Sequence, residues 1–213
     1  MNYNIEINNL IKFIANNSDF NIIKSNICFY NNHLGAVLAD IILQAGLNYK
    51  TVVFPRVLNI YKNYESANDL NGLLNILEQT NISEFLQWKN EIKISRFRSV
   101  IEYLLENRIS DSYNLSIHLQ NPVHANEFLN IQGIGNKTLD YFLKLMNVET
   151  IAVDRHIINF LVKANIEFVN YNSAKKIVEY TADILEISRR DMDYSIWTFM
   201  SSKNKPQILE LEF

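Results

Sequence analysis

Apolar positions recur at helical spacing along almost the whole chain. Ile5, Leu10, Ile11 and Ile14 mark a first helix at about residues 5–16, which Asn17, Ser18 and Asp19 break. Residues 20–30 are less regular, and Phe20, Ile22, Ile23, Ile27 and Phe29 fit either a strand or an extended arm. From His33 the spacing returns. Leu34, Val37, Leu38, Ile41, Ile42 and Ala45 share one face and end at Gly46, a residue suited to the left-handed position after a helix. Further helices are predicted near 50–63, 68–79, 83–91 and 95–107, with Asn68, Ser83 and Ser95 placed to cap three of them. A weaker pattern at 111–119 precedes two short helices within about 123–147. Three more helices follow at about 155–164, 173–187 and 190–202. No period-2 run is long enough for a sheet, so the pattern predicts an all-α fold.

The turn between the two short helices reads Leu129-Asn-Ile-Gln-Gly133-Ile-Gly135-Asn-Lys137-Thr138. Two glycines let backbone N–H groups come close to another molecule, and the helix opening near Asn136 adds unpaired N–H groups and the positive end of its dipole. Together these make a seat for a phosphate. Lys137 lies in the first helical turn, where the dipole and partial burial would both lower its pKa, as an amine nucleophile needs. Leu139, Phe142, Leu143 and Met146 form the inward face of this helix, while Lys137, Tyr141 and Lys144 share another. Thr150-Ile-Ala-Val-Asp154-Arg-His156 follows. A helix over 137–147 spans roughly 15 Å at ~1.5 Å per residue, and an extended 148–154 covers up to about 23 Å at ~3.3 Å per residue. The chain therefore has the reach to return Asp154 to Lys137. Asp154 is also a good N-cap, a role compatible with an ionised carboxylate that stabilises positive charge.

The hairpin I-Q-G-I-G-N-K-T, followed after one helix by I-A-V-D-R-H, resembles the signature of the helix-hairpin-helix DNA glycosylase superfamily, the group of endonuclease III and the 8-oxoguanine glycosylases. The resemblance implies a two-lobed helical fold with the hairpin at the mouth of the interlobe cleft. It maps residues 33–122 to a central bundle, and 1–32 with 123–213 to a second lobe. It implies that Lys137 attacks C1′ of a damaged nucleoside with Asp154 assisting, and that Gly133 and Gly135 seat a DNA phosphate. Upstream, the run from Leu38 to Ala45 is similar to the family's helix end in which a glutamine, here Gln44, fills the gap left by an extruded base. Residues 88–98 lie where the family has a second backbone-contacting turn, which makes Lys93 and Arg96 candidates for phosphate contacts. They equally fit a solvated helix face. Trp197 is a candidate to stack on the extruded base, against a role in the core.

Composition adjusts this picture. Within 213 residues and 24.9 kDa, 48% apolar residues with three prolines and five glycines suit a compact helical protein. A net charge of −3 argues against a general affinity for nucleic acid, although a binding face needs only local positive charge. The single Cys28 excludes the four-cysteine iron–sulfur module of the endonuclease III branch, and four scattered histidines form no metal-ligand motif. No cofactor is expected. The N-terminus lacks secretory features and no stretch is apolar enough to span a membrane, so an intracellular protein is expected, and the resemblance implies a monomer acting on damaged double-stranded DNA. The reading is a bifunctional glycosylase and abasic-site lyase for an oxidised base, with 8-oxoguanine favoured. The alternatives are an oxidised-pyrimidine enzyme of the same fold, a non-catalytic hairpin protein that binds DNA, and a helical protein–protein module.

Overall fold

The computed structural model describes residues 3–26 and 28–202. Among these residues there are twelve α-helices and no strand, with an isolated antiparallel bridge between Asp69 and Asp111. No described helix is long and apolar enough to cross a membrane. The chain divides into two compact units, one made of Ile27–Val148 and the other of Met1–Asn26 with Glu149–Phe213.

The continuous unit is built on α2 (Leu34–Gln44), in which every residue from Leu34 to Leu43 is buried. A π-helical turn (Tyr49–Val53) leads into α3 (Phe54–Asn63). Then come a 3₁₀ turn (Glu65–Asn68), α4 (Leu70–Gln79), α5 (Ile82–Phe85), α6 (Glu91–Glu106), α7 (Ser112–Gln120), α8 (Pro122–Phe128) and α9 (Asn136–Leu145). Helix α2 packs against α3, α4, α6 and α9. The hairpin helices α8 and α9 bury Phe128, Leu139 and Phe142 in the same core as α2. They fall in this unit, whereas the sequence mapping grouped 123–147 with the C-terminal helices.

The second unit joins α1 (Asn4–Ala15) to α10 (Arg155–Lys163), α11 (Tyr171–Ile184) and α12 (Arg189–Ser202). Its core sets Ile7, Leu10 and Phe20 from the front of the chain among Phe160, Ile177, Val178, Ile196 and Phe199. Phe20 tilts against Phe160 at 5.2 Å between ring centroids and meets Phe199 edge-on at 5.5 Å. Residues 21–26 of the ambiguous segment after α1 form an arm without helix or strand. Its backbone bonds go to side chains of α12: Ile23 N–H donates to Ser195 Oγ at 2.8 Å, and Ser25 N–H to Asp191 Oδ1 at 2.7 Å.

The caps differ from those expected. Asp69, Asn81 and Asn90 accept the N–H groups of Gly72, Glu84 and Lys93, in place of Asn68, Ser83 and Ser95. Asp69 caps one residue after Asn68, which ends the preceding 3₁₀ turn, while Asn81 and Asn90 capture their helices upstream and leave Ser83 and Ser95 inside them. The helix expected at 83–91 is the single turn α5. Gln87 stops it with φ of 49°, and its carbonyl accepts Arg56 Nε at 3.0 Å.

Candidate active site

The turn between α8 and α9 uses its two glycines differently. Gly133 sits at φ +84°, and a Cβ there would lie 1.8 Å from a terminal guanidinium nitrogen of Arg96. Arg96 comes from α6, and its Nε donates to the carbonyl of Gln132 at 3.0 Å. It braces the turn from the surface of α6 and spends one donor doing so. Gly135 is the N-cap of α9 at φ −115°, extended backbone that any residue adopts, and a Cβ there would meet nothing within 4 Å. No side chain caps α9. The first N–H groups of this helix thus stand behind a residue that has no side chain and, as far as the protein's own packing goes, needs none to be missing.

Lys137 is the second residue of α9 and is exposed, where the sequence reading supposed partial burial. One turn later, Tyr141 leaves the face it shares with Lys137 for the interior: its hydroxyl donates to Asp40 Oδ1 at 3.3 Å, and the Lys144 ammonium lies 5.5 Å from its ring centroid. Gln44, the last residue of α2, is half-buried.

Lys93 is not on a solvated face. Its side chain is buried, and its ammonium donates to the carbonyls of Ile42, Leu43 and Ala45 at 2.8, 3.0 and 2.9 Å. All three protons go to the C-terminal end of α2, so Lys93 has none left for a phosphate. Burial, with Arg96 nearby, pushes its ammonium down to about 8, which still leaves it charged at neutral pH.

In the other unit, Asp154 is the N-cap of α10. Its Oδ1 accepts the N–H groups of His156 at 2.8 Å and Ile157 at 3.1 Å, while Oδ2 has no hydrogen bond among the described residues. The strand-like lead to it is pinned from both sides: Ala152 N–H donates to Asp193 Oδ2 at 3.0 Å, and Val153 N–H to the Tyr171 hydroxyl at 3.2 Å. Neither Asp193 nor Tyr171 was singled out from sequence. Asp193 and Ser195 are both buried polar residues of α12, and no spacing in the sequence marks either. Trp197 is 41% exposed, stacked on Tyr194 with ring centroids 6.0 Å apart and edge-on to His156 at 6.2 Å. It is not a core residue.

The sequence reading also passed over a buried carboxylate. Asp40 of α2 is fully buried, and its partners are the hydroxyls of Tyr30, Tyr49 and Tyr141. Burial raises its carboxyl to about 6 against the three phenol bonds, which lower it. A lone aspartate in the otherwise apolar run from Leu34 to Leu43 was its signature. Among the described residues, no three His, Cys, Asp or Glu side chains gather as metal ligands would.

A family model described as a domain of unknown function (DUF8548) matches residues 124–201, a span that holds both Lys137 and Asp154. The structure is similar to the crystal structure of H. pylori 3-methyladenine DNA glycosylase (MagIII) bound to 1,N6-ethenoadenine. The TM-score is 0.60 with 18% identity, covering 94% of this chain and 99% of that one. The all-helical fold is thus shared with this DNA glycosylase structure. The likeness carries the fold. It does not carry the endonuclease III or 8-oxoguanine branch, because that protein is named for an alkylated base.

Proposed function

We propose that the chain is a DNA glycosylase with abasic-site lyase activity that acts in base-excision repair on an oxidised base, 8-oxoguanine first. One observation carries this reading: an exposed lysine stands in the first turn of α9, directly behind an uncapped glycine that the protein's own packing leaves open. A phosphate received by the N–H groups of that turn would bring the adjoining sugar of a damaged duplex to the amine. Gln44 serves to occupy the gap left by the extruded base, and Arg96 holds the turn in shape. Lys93 belongs to the scaffold of α2 and has no part in the interface. Trp197, exposed beside His156, remains the ring offered to stack on a base.

In the reaction, the Lys137 amine forms a bond to C1′ as the glycosidic bond breaks, and the departing base takes up the proton that the nitrogen sheds. Opening of the sugar ring gives a Schiff base. Loss of a C2′ proton then expels the 3′ phosphate oxygen and nicks the strand. Asp154 stabilises the cationic character at C1′, with Oδ1 held by the α10 cap and Oδ2 outside it. This chemistry needs no metal or nucleotide cofactor, and one chain suffices.

Borohydride trapping on duplexes with 8-oxoguanine, thymine glycol, uracil, 1,N6-ethenoadenine or a bare abasic site tests the reading. A covalent adduct is expected with the wild type and none with Lys137→Gln, while Asp154→Asn, which keeps a capping oxygen, slows base release. Base release by the wild type with no adduct on any duplex would remove the lysine from the chemistry and favour a monofunctional enzyme for an alkylated base. Binding of DNA without either activity would make the hairpin a binding element only.

A further inference from the structure

The C-terminal end of α2 is held by a side chain from another helix. The Lys93 ammonium donates to the carbonyls of Leu43 and Ala45 at 3.0 and 2.9 Å, the residues immediately before and after Gln44, and to that of Ile42 at 2.8 Å. The backbone closes this end only weakly, with Leu47 N–H reaching the Gln44 carbonyl at 3.4 Å. Ala45 leaves the helix at ψ 111°, and Gly46 follows at φ +76° with nothing within 4 Å of where its Cβ would be. Gln44 is thus the last helical residue before an open turn, and one ammonium grips the chain on both sides of it. Its own side chain is uncommitted. The amide is half-buried and has no hydrogen bond among the described residues. It can offer both donors and an acceptor to an incoming molecule.

Three positions further along α6, Arg96 does for the hairpin what Lys93 does for α2. Its Nε donates to the Gln132 carbonyl at 3.0 Å, and its guanidinium occupies the place where a Gly133 side chain would stand. Residues i and i+3 share a helix face and stand about 4.5 Å apart along the axis, at ~1.5 Å per residue. One turn of α6 therefore holds the backbone around Gln44 and the backbone of the hairpin turn at once. Helix α2, helix α6 and the hairpin all lie in the continuous unit, where α2 also packs against α6 and α9. The spacing between the uncommitted amide and the uncapped start of α9 is thereby set in the protein itself.

We propose that Lys93 is a positioning residue for base extrusion, which holds Gln44 at a set distance from the hairpin so that the amide enters the vacated gap as the phosphate is seated. The proposal rests on the glycosylase reading above, with Gln44 as the residue that fills the gap. Lys93 touches no DNA and acts through the peptides on either side of Gln44. Extruding a base costs its stacking and pairing. A filler whose backbone is already ordered in the free protein adds little ordering entropy to that cost. With Lys93 truncated, Gln44 keeps its amide and loses this advantage.

The test is the ratio of affinities for a duplex holding a tetrahydrofuran abasic analogue and for the intact duplex. The hairpin seat contributes equally to both, so the ratio reports what enters the gap. The wild type is expected to favour the abasic duplex at least tenfold. Gln44→Ala and Lys93→Met are each expected to lower the ratio about fivefold, and the double variant to lower it no further, because the two residues act as one. A merely structural Lys93 would weaken both duplexes together. An unchanged ratio in Lys93→Met or in Gln44→Ala, or losses that multiply in the double variant, overturns the proposal. Should Lys93→Met not fold, the ratio is followed from pH 7 to pH 9 in the wild type and in Gln44→Ala. The Lys93 ammonium, pushed down to about 8 by burial and by Arg96, then sheds one proton and keeps two for three carbonyls. Of the other ionisable groups on the helices packed against it, Asp40 of α2 is bonded to phenols and Glu84 of α5 is exposed. The wild-type ratio is expected to fall about threefold and that of Gln44→Ala to stay level, and parallel profiles overturn the proposal. If the wild type binds neither duplex, the glycosylase reading falls, and amide hydrogen exchange in the free protein decides the role of Lys93. Exchange at residues 44–47 that rises in Lys93→Met, or in the wild type at pH 9, beyond the rise elsewhere in α2 supports it, and a uniform rise overturns it.

Discussion

Gly133 and Gly135 stand two positions apart and have opposite reasons to lack a side chain. At Gly133 the reason is internal: positive φ and the guanidinium of Arg96 both exclude a Cβ. Alanine there must strain the backbone and displace Arg96, at a cost of about 1–3 kcal/mol. At Gly135 the backbone is ordinary and the space is empty. Gly135→Ala should change folding stability by no more than about 0.5 kcal/mol, yet reduce affinity for duplex DNA at least tenfold, because the methyl would stand where a phosphate approaches. Denaturant melts beside salt-controlled binding curves separate the two effects. Equal affinity for Gly135→Ala and wild type would show that nothing approaches this turn. The sequence marks both glycines alike, since spacing alone does not distinguish a residue kept small by its own fold from one kept small for a ligand.

Helix α2 shows what periodicity conveys and what it omits. Its start, its end at Gly46 and its buried face were all legible from Leu34, Val37, Leu38, Ile41 and Ile42. That it is buried nearly all round was legible only in retrospect, from the small residues Gly35, Ala36 and Ala39. Gly35 lets Ala67 and Phe85 approach to 2.9 and 3.0 Å of where its Cβ would be. A helix so enclosed cannot leave its last carbonyls to water, so a side chain from elsewhere must satisfy them. Lys93 supplies it from 51 positions beyond Ile42. No local pattern reveals such a partner, and the positive charges of 89–98 therefore read as a surface. Lys93→Met keeps the apolar stem and orphans three carbonyls. It is expected to destabilise the protein by about 2–3 kcal/mol, a fall in Tm of roughly 4–12 °C for a chain of this size. Arg98→Met, on an exposed position of the same helix, serves as the control and should melt with the wild type.

At the scale of the whole molecule, one unit is a single stretch of chain and the other is assembled from both ends. The continuous unit has its own core around α2, including the hairpin and Lys137. The discontinuous unit has a separate core, which Ile7, Leu10 and Phe20 help to fill, and its arm is tied to Ser195 and Asp191. Residues 27–148 made alone are accordingly expected to give a helical circular dichroism spectrum and a cooperative thermal transition. Residues 149–213 made alone are expected to lack one and to regain it when 1–26 is supplied as a peptide. A cooperative melt of 149–213 without that peptide would mean that the N-terminal helix adds little to this core. The same division orders events in time. At about 5–20 residues per second of translation, the first 26 residues wait roughly 6–25 s before residue 149 is made. A ribosome thus completes the unit that carries the amine well before the one that carries Asp154. The nascent chain must keep Leu10 and Phe20 from mispairing through that interval, so slow codons or a depleted chaperone pool should harm this protein first at its N-terminal helix.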